Sequence, residues 1–542
     1  MKRIFFSLIL GLTFSTYSFG QLFNDEVFKF SKVLGYIENY YVDTVNKPKL
    51  VEDVIVEMLK QLDPHSVYLD KKEVEKSNES LQGSFEGIGI QFNILNDTLM
   101  VVSPVSGGPS EKVGIQAGDR ILKIDSVNVA GVGLTNEMVF EKLRGKKGTK
   151  VTVAIKRKGV DELLDFEIIR DKIPQYSLDA AYMISKKDKV GYIKLNRFAA
   201  TTMDEFRDAS VKLKKEGAEN LILDLTDNGG GYLNMAQDLA DEFLSAGKML
   251  VYTEGIHSPK QEALATNVGN FEKGKVVIMI DEGSASASEI VSGAVQDWDR
   301  GILVGRRSFG KGLVQRNLNL PDGSMLRLTI ARYYTPTGRL IQKSYEEGNN
   351  EYEKDLIKRY NNGELSNADS IHFPDSLKYY TLQNKRVVYG GGGIMPDFFV
   401  PIDTAGYSDY YRDLIRKGII NRFVLRYLDE NRSALETNYK SSKKGHDFES
   451  YLKSFTIDDS FLKELVTFAE KEKLPFNETD FSKSKEVIRV NLKALIARDV
   501  WGSSESFQLF NQLDPIYNEA VKVILDDHLY QSKLTKQQPV SR

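Results

Sequence analysis

Between about residues 190 and 400, short apolar runs alternate with amphipathic stretches, and this alternation constrains the fold more than any other feature of the chain. The runs lie at 191–195, 221–225, 276–280 and 302–304, with helical patterns through 233–244 and after Ser286. Runs that are apolar at nearly every position read as strands buried on both faces, and the helices between them are the crossovers that parallel strands require. The expectation is an α/β core around a mostly buried sheet.

The remaining segments add modules to that core. At 542 residues the chain exceeds what one core organises, so several domains are expected. Residues 22–82 carry helical periodicity, broken at Asp63-Pro64, and predict a helical N-terminal region. From about Gly83 the pattern changes to short strands and glycine turns, predicting a compact β module over 83–171. The core follows over 172–404, with a charged insertion at about 343–386 whose asparagine-rich part, 346–370, is expected to be exposed and flexible. Residues 405–542 are helix-patterned, as at Leu414, Ile419, Ile420 and Phe423.

Composition removes several chemistries. The chain has no cysteine, which rules out disulfides, thiolate metal sites, a cysteine nucleophile and a lipidated N-terminal cysteine. Its 73 basic residues balance 76 acidic ones without a basic run, so nucleic acid is not an expected partner. No metal or cofactor is expected. Lys2 and Arg3, the apolar stretch 4–14 and the small residues up to Gly20 read as an export signal over 1–20, cut after Gly20. The mature protein is therefore expected outside the cytoplasm, in the periplasm or another extracytoplasmic space, with membrane association left open.

Hydroxyl, amine and carboxylate groups must then carry any chemistry. At 276–297 a buried strand runs through small residues into a helix, and a serine at that junction faces free N–H groups and the positive helix end. Ser286 is the candidate nucleophile, although Ser284, Ser286 and Ser288 equally read as helix caps. None of the five histidines sits in a triad-like motif. The other known base is a lysine kept neutral by burial, and Lys311 in Ser308-Phe309-Gly310-Lys311-Gly312 fits, with Phe309 placed to exclude water and Gln315 placed to orient the amine. Residues 305–312 nearly spell a phosphate-binding loop, but Gly312 stands where Ser or Thr should be and a strand pattern follows where a helix is needed. The turn Asp224-Leu225-Thr226-Asp227-Asn228-Gly229-Gly230-Gly231 is placed to complete an oxyanion hole, with Gly229 or Gly230 joining the N–H of Ala287. Gly87-Ile88-Gly89-Ile90 suits a nest that holds a peptide C-terminal carboxylate while the peptide adds as a strand, and suits an ordinary β-turn equally well.

Seven motifs in order from about residue 22 to 402 resemble the carboxyl-terminal processing peptidases, the tail-specific proteases: LDPHS at 62–66, GIGI at 87–90 with Gly118-Asp119, DLTDNGGG at 224–231, EGSASASEI at 282–290, SFGKGLVQ at 308–315, TPTGRLIQ at 335–342 and GGIMPDFFV at 392–400. The resemblance implies a PDZ-like domain over 83–171 ahead of a crotonase-like ββα protease core. It implies Ser286 as nucleophile, Lys311 as base and Gln315 as its support, with substrate C-termini held at residues 87–90. It departs at Thr226, where family members often carry arginine, and no arginine role is carried over. The function implied is a periplasmic serine endopeptidase acting on proteins with exposed apolar C-termini. An adaptor protein and a homo-oligomer are compatible partners. The rival readings are a non-catalytic PDZ scaffold or chaperone, and a non-peptidase acyl-transfer enzyme on a related fold.

Overall fold

The computed structural model describes residues 25–266, 269–441, 445–446 and 448–535; the expected export signal, 1–20, lies outside the described residues. Six strands form the central sheet in the order Leu178–Ser185, Val190–Leu195, Asn220–Asp224, Val276–Ile280, Ile302–Gly305 and Phe398–Phe399. The first pair is antiparallel and the others are parallel. Val276–Ile280 is buried at every residue, as a strand covered on both faces must be.

Two different sets of helices cover those faces. Thr202–Lys215, Leu233–Asp241 and Ala287–Asp297 lie on one, packed through residues such as Phe206, Leu239, Ile290 and Val291. The end of the chain covers the other. Ile516, Ala520, Val523 and Ile524 of Pro515–Leu525, with Tyr530 of Asp527–Leu534, pack on Tyr192, Ile222, Val277, Met279, Ile302 and Val304. The Tyr530 hydroxyl lies 3.0 Å from the Val276 N–H nitrogen and 3.3 Å from its carbonyl oxygen. The helix-patterned region 405–542 thus divides by packing. Helices from Asp409–Arg416 to Glu478–Val500 share a core of their own around Leu414, Phe423, Leu465 and Ile488, joined by Leu509 of Ser503–Phe510, whereas Pro515–Leu525 and Asp527–Leu534 complete the α/β core.

A second sheet joins Leu313–Asn319, Met325–Tyr334, Met249–Gly255 and Ser258–Leu264 to Val67–Leu69. Val67–Leu69 comes from the N-terminal region expected to be helical. Its three residues, between the Asp63-Pro64 break and the helix cap Asp70, are too few to show a two-residue period. The β module is an antiparallel sheet of Ile90–Leu95, Thr98–Pro104, Arg120–Ile124, Lys150–Lys156 and Leu164–Ile169, filled by Leu99, Val101, Ile121, Val139 and Ile155.

Most of the segment 346–370 is exposed, as expected, but it is folded and anchored to the core at three buried positions. Asn349–Glu353 and Asp355–Asn361 are helical, and Tyr352, Arg359 and Leu365 are buried. Arg359 donates to the carbonyls of Arg307 (2.6 Å) and Ser308 (3.2 Å), and Arg307 pairs with Glu364. Its hydrophilic composition concealed these three anchors. Among the described residues, no helix is long and apolar enough to cross a membrane.

The packing of the chain end predicts that Ile524→Ala destabilises the α/β core by about 2–5 kcal/mol, the usual cost of a cavity at a fully buried isoleucine. Urea unfolding followed by tryptophan fluorescence checks this, and an unchanged midpoint would mean that 515–534 is not part of the core.

Candidate active site

Three neighbouring strands of the central sheet end at one edge, and each delivers one functional loop. Asn220–Asp224 leads into the turn 225–231, Val276–Ile280 into 281–286, and Ile302–Gly305 into 306–312. Parallel strands place their C-terminal ends side by side, which is where α/β sheets build binding sites. The three loops, with the helix Lys71–Gln82 and the Leu313–Asn319/Met325–Tyr334 hairpin, enclose a cleft of about 630 Å³ lined by Gly229, Gly230, Ser286, Ala287, Lys311, Gln315 and Arg327 among others.

The three serines of the nucleophile loop are not equivalent. Ser284 Oγ donates to the Leu225 carbonyl (2.7 Å) and Ser288 Oγ to the Asn228 carbonyl (2.8 Å); both side chains are fully buried and tie this loop to the glycine turn. Ser286 alone lines the cleft. Its backbone has φ 55° and ψ −109°, a left-handed conformation that costs a non-glycine residue about 1–3 kcal/mol. The surrounding contacts hold it there: Ser286 N–H donates to Glu289 Oε2 (2.8 Å), and its carbonyl accepts from Tyr333 OH (3.1 Å) and from the N–H of Glu289 and Ile290.

The same two side chains hold the lysine loop. Glu289 accepts from the N–H of Lys311 (2.9 Å) and Gly310 (2.7 Å) and from Ser308 Oγ (2.5 Å), while Tyr333 OH lies 2.6 Å from the Lys311 carbonyl oxygen. Burial pushes the Glu289 carboxyl up to about 6 in spite of these four donors. Neither Glu289 nor Tyr333 was assigned a role from sequence. The S-x-x-E spacing of Ser286 and Glu289 is a capping-box signal that marks Glu289, whereas no local signal marks Tyr333.

Lys311 Nζ has no hydrogen bond or ion pair among the described residues. Burial, and Arg327 nearby, hold its amine below the ordinary lysine range, against the opposing pull of Glu289 and Asp63. Gln315 shares the cleft wall but does not bond to Lys311; its Nε2 points to Thr329 Oγ1 at 3.4 Å. Thr329 Oγ1 donates to Asp63, which also accepts from the Ser66 hydroxyl and the N–H of His65 and Ser66, so the LDPHS segment braces this hairpin. His65 bonds Tyr352 OH (2.8 Å) and is pushed down to about 4 by burial and by Lys311. Phe309 does not line the cleft. It packs on Tyr352 and under the Lys343 amine, anchoring the loop to the insertion. The strand Leu313–Asn319 follows where a phosphate-binding loop would need a helix.

At the glycine turn the expected oxyanion donors separate. Among the described residues no hydrogen bond uses the N–H of Gly229 or Ala287. Of the two alternative glycine donors, Gly230 gives its N–H to Asn228 Oδ1 (3.0 Å). Gly230 has a steric role instead: at φ +99°, a Cβ there would lie 2.8 Å from the Ala285 carbonyl and 2.9 Å from Ser286 Cβ. Thr226, the departure from the family pattern, accepts from Lys194 Nζ through its carbonyl and hydroxyl oxygens, and Lys194 also pairs with buried Asp224.

In the β module Gly87 ends one strand and Ile90 begins the next. Among the described residues the N–H groups of Ile88 and Gly89 between them have no acceptor, while the Ile88 carbonyl accepts from Ser110. The Ile88 side chain is buried in the module's core.

Comparison with known proteins identifies the same segments. Residues 189–348 match Peptidase family S41, 87–168 the PDZ domain, 15–73 the activating protease CtpB N-terminal domain, and 410–502 a family of unknown function. A carboxy-terminal-processing protease of Bartonella bacilliformis is 37% identical over 58% of this chain and 72% of its own length. Carboxy-terminal processing protease CtpB of Bacillus subtilis is 35% identical over 58% of this chain and 65% of its own length. Among solved structures, a photosystem II D1 C-terminal processing protease is 28% identical with a TM-score of 0.34, covering 58% of this chain and 83% of its own.

Two substitutions test this geometry. Gly230→Ala should cost about 1–3 kcal/mol of stability and remove activity, whereas Gly229→Ala, whose Cβ meets nothing within 4 Å, should leave the melting temperature unchanged. Equal melting temperatures for the two variants would contradict the close approach at Gly230. Glu289→Gln brings an amide donor against groups that are all donors, so thermal stability and turnover should fall together, the latter by at least about tenfold; wild-type turnover would show that the two loops hold their positions without it.

Proposed function

This chain belongs to the carboxy-terminal-processing protease family of serine-type peptidases, and we propose that it is an exported endopeptidase that captures apolar C-terminal tails on its PDZ domain and cleaves with a Ser286–Lys311 dyad. The observation that carries this reading is the convergence, in one cleft, of a strained serine, a partly desolvated unpaired lysine and two unengaged N–H groups.

Neutral Lys311 takes the Ser286 Oγ proton as the oxygen bonds to the scissile carbonyl carbon. The N–H groups of Ala287 and Gly229 hold the resulting oxyanion, helped by the positive end of the helix Ala287–Asp297. The tetrahedral adduct collapses, the carbon–nitrogen bond breaks, and Lys311 returns the proton to the leaving amine. A water deprotonated by Lys311 then attacks the Ser286 ester carbon, the carbon–Oγ bond breaks, and Lys311 returns the proton to Ser286 Oγ as the new carboxyl terminus leaves. The substrate's own C-terminal carboxylate sits on the N–H groups of Ile88 and Gly89 while its tail extends the β module.

The helix Lys71–Gln82 connects the two sites. Ser77 Oγ accepts from Arg327 (2.7 Å) and Leu81 lines the cleft, while Glu79 pairs with Arg144 (2.6 Å) beside the Gly87 turn. Tail binding at residues 87–90 therefore has a rigid element through which to alter the cleft, and this supports a gating role for the PDZ domain. Residues 1–20 act as the export signal, placing the enzyme in the periplasm or an equivalent space. A homo-oligomer finds support in the helix Asp25–Tyr40, where Val27, Phe28, Val33 and Tyr36 are exposed.

The experiment compares purified residues 21–542 with Ser286→Ala and Lys311→Ala on an unfolded reporter bearing either an apolar or a charged C-terminal tail. Cleavage should require the apolar tail and fall by at least about 10³-fold in both variants, because members of one catalytic unit are not additive. With Lys311 as base, kcat/KM should rise with pH along a limb lying below the ordinary lysine value of about 10.4, since only the neutral amine accepts the proton. Near-normal turnover by Lys311→Ala would remove lysine from the mechanism. Binding of tailed reporters without Ser286-dependent cleavage would favour the scaffold reading.

A further inference from the structure

The charge lining the catalytic cleft is of one sign. Its basic side chains are Lys311, Arg316 and Arg327, and among the described residues no aspartate or glutamate contributes to its wall. The two carboxylates that act on Lys311, Glu289 and Asp63, are buried and engaged by donors. Glu289 is fully buried with four donors, and Asp63 is buried behind Thr329, Ser66 and the His65 amide.

Within this wall Arg327 is held in place but left unneutralised. It stands opposite Asn317 in the hairpin register, with Thr329, opposite Gln315, two residues along. Nη2 donates to Ser77 Oγ at 2.7 Å and Nε approaches Asn317 Oδ1 at 3.4 Å, while among the described residues Nη1 has no partner and no carboxylate pairs with the guanidinium. Partial desolvation holds the guanidinium below the ordinary arginine range. A fixed, half-buried cation with free donors, aimed into a cleft where a polypeptide must lie, is satisfied by a carboxylate in planar two-point contact.

We propose that Arg327 is a specificity-determining residue that selects substrates carrying an acidic side chain within the segment bound across the dyad. This rests on the peptidase reading of the cleft and adds to it a second, internal recognition element, separate from the C-terminal tail held on the β module. The two elements together require a substrate with an aspartate or glutamate near the cut and an apolar end some distance beyond. Because the contact is electrostatic, the selection weakens as salt is raised.

The test uses one reporter peptide with a constant apolar tail and an alanine-rich cleavage region, through which a single Asp is walked position by position. Asp at one or two neighbouring positions should raise kcat/KM at low ionic strength by about 5–50-fold, in the range of a well-placed charge contact. Arg327→Gln should remove that gain, Arg327→Lys should keep part of it, and Arg327→Glu should move the preference to a Lys-bearing peptide. The ratio of Asp to Ala peptides is the readout, so a general loss of turnover in a variant does not imitate the effect. No gain from Asp at any position, or a gain that survives Arg327→Gln, would overturn the proposal. Cleavage that is absent, or undiminished in Ser286→Ala, would instead count against the peptidase reading. In that case the charge selection is decided by binding of C-terminally amidated Asp and Ala peptides to the Ser286→Ala protein, which should favour Asp only while Arg327 is present.

Discussion

Glu289 and Tyr333 clamp two loops that the sheet alone would leave independent. Glu289 gathers the N–H groups of Ser286 and Lys311, and Tyr333 meets the carbonyl oxygens of the same two residues. Both clamp residues are almost wholly buried, so their bonds form at low dielectric and breaking one leaves a polar group without water to replace it. The left-handed backbone of Ser286 persists because this arrangement over-determines it. The desolvated carboxyl of Glu289 and the strained serine are local costs, offset by the packing of the helix Ala287–Asp297, in which every residue is buried.

Beneath the clamp lies a sheet whose strand order brings three chain segments, 220–224, 276–280 and 302–305, to one edge. The close approach of the glycine turn to the serine loop depends on the missing Cβ of Gly230 and on Asn228, whose buried side chain bonds the Leu195 carbonyl and the Gly230 N–H. The sheet is stable only if both faces are dry, which makes the last helices of the chain part of the core despite their distance in sequence. The charged insertion stiffens the lysine loop from outside, with Arg359 satisfying carbonyls that would otherwise end unpaired.

Electrostatics within the cleft follow from what is buried and what is not. Desolvation lowers the basicity of the Lys311 amine, Arg327 adds to that, and the carboxylates that oppose it are already engaged by donors. The result is an amine closer to neutrality than a surface lysine and a wall with surplus positive charge.

The sequence alone determined the α/β core, the positions of its buried strands, the β module and the loops that carry Ser286 and Lys311 into one cleft, because each is written in local periodicity or a contiguous motif. Binary patterning specifies which residues are buried, and glycine and serine mark loops where backbone groups stay free. What the tertiary structure decided is everything that depends on contact between distant segments. It engaged the Gly230 N–H with Asn228 and left that of Gly229 unengaged among the described residues, turned Gln315 toward Thr329 and Phe309 toward Tyr352, folded the insertion onto the core and brought Val67–Leu69 into a sheet. Those outcomes are hydrogen-bond and packing choices among near-equivalent local options, and only the assembled neighbours make one of them lower in free energy than the rest.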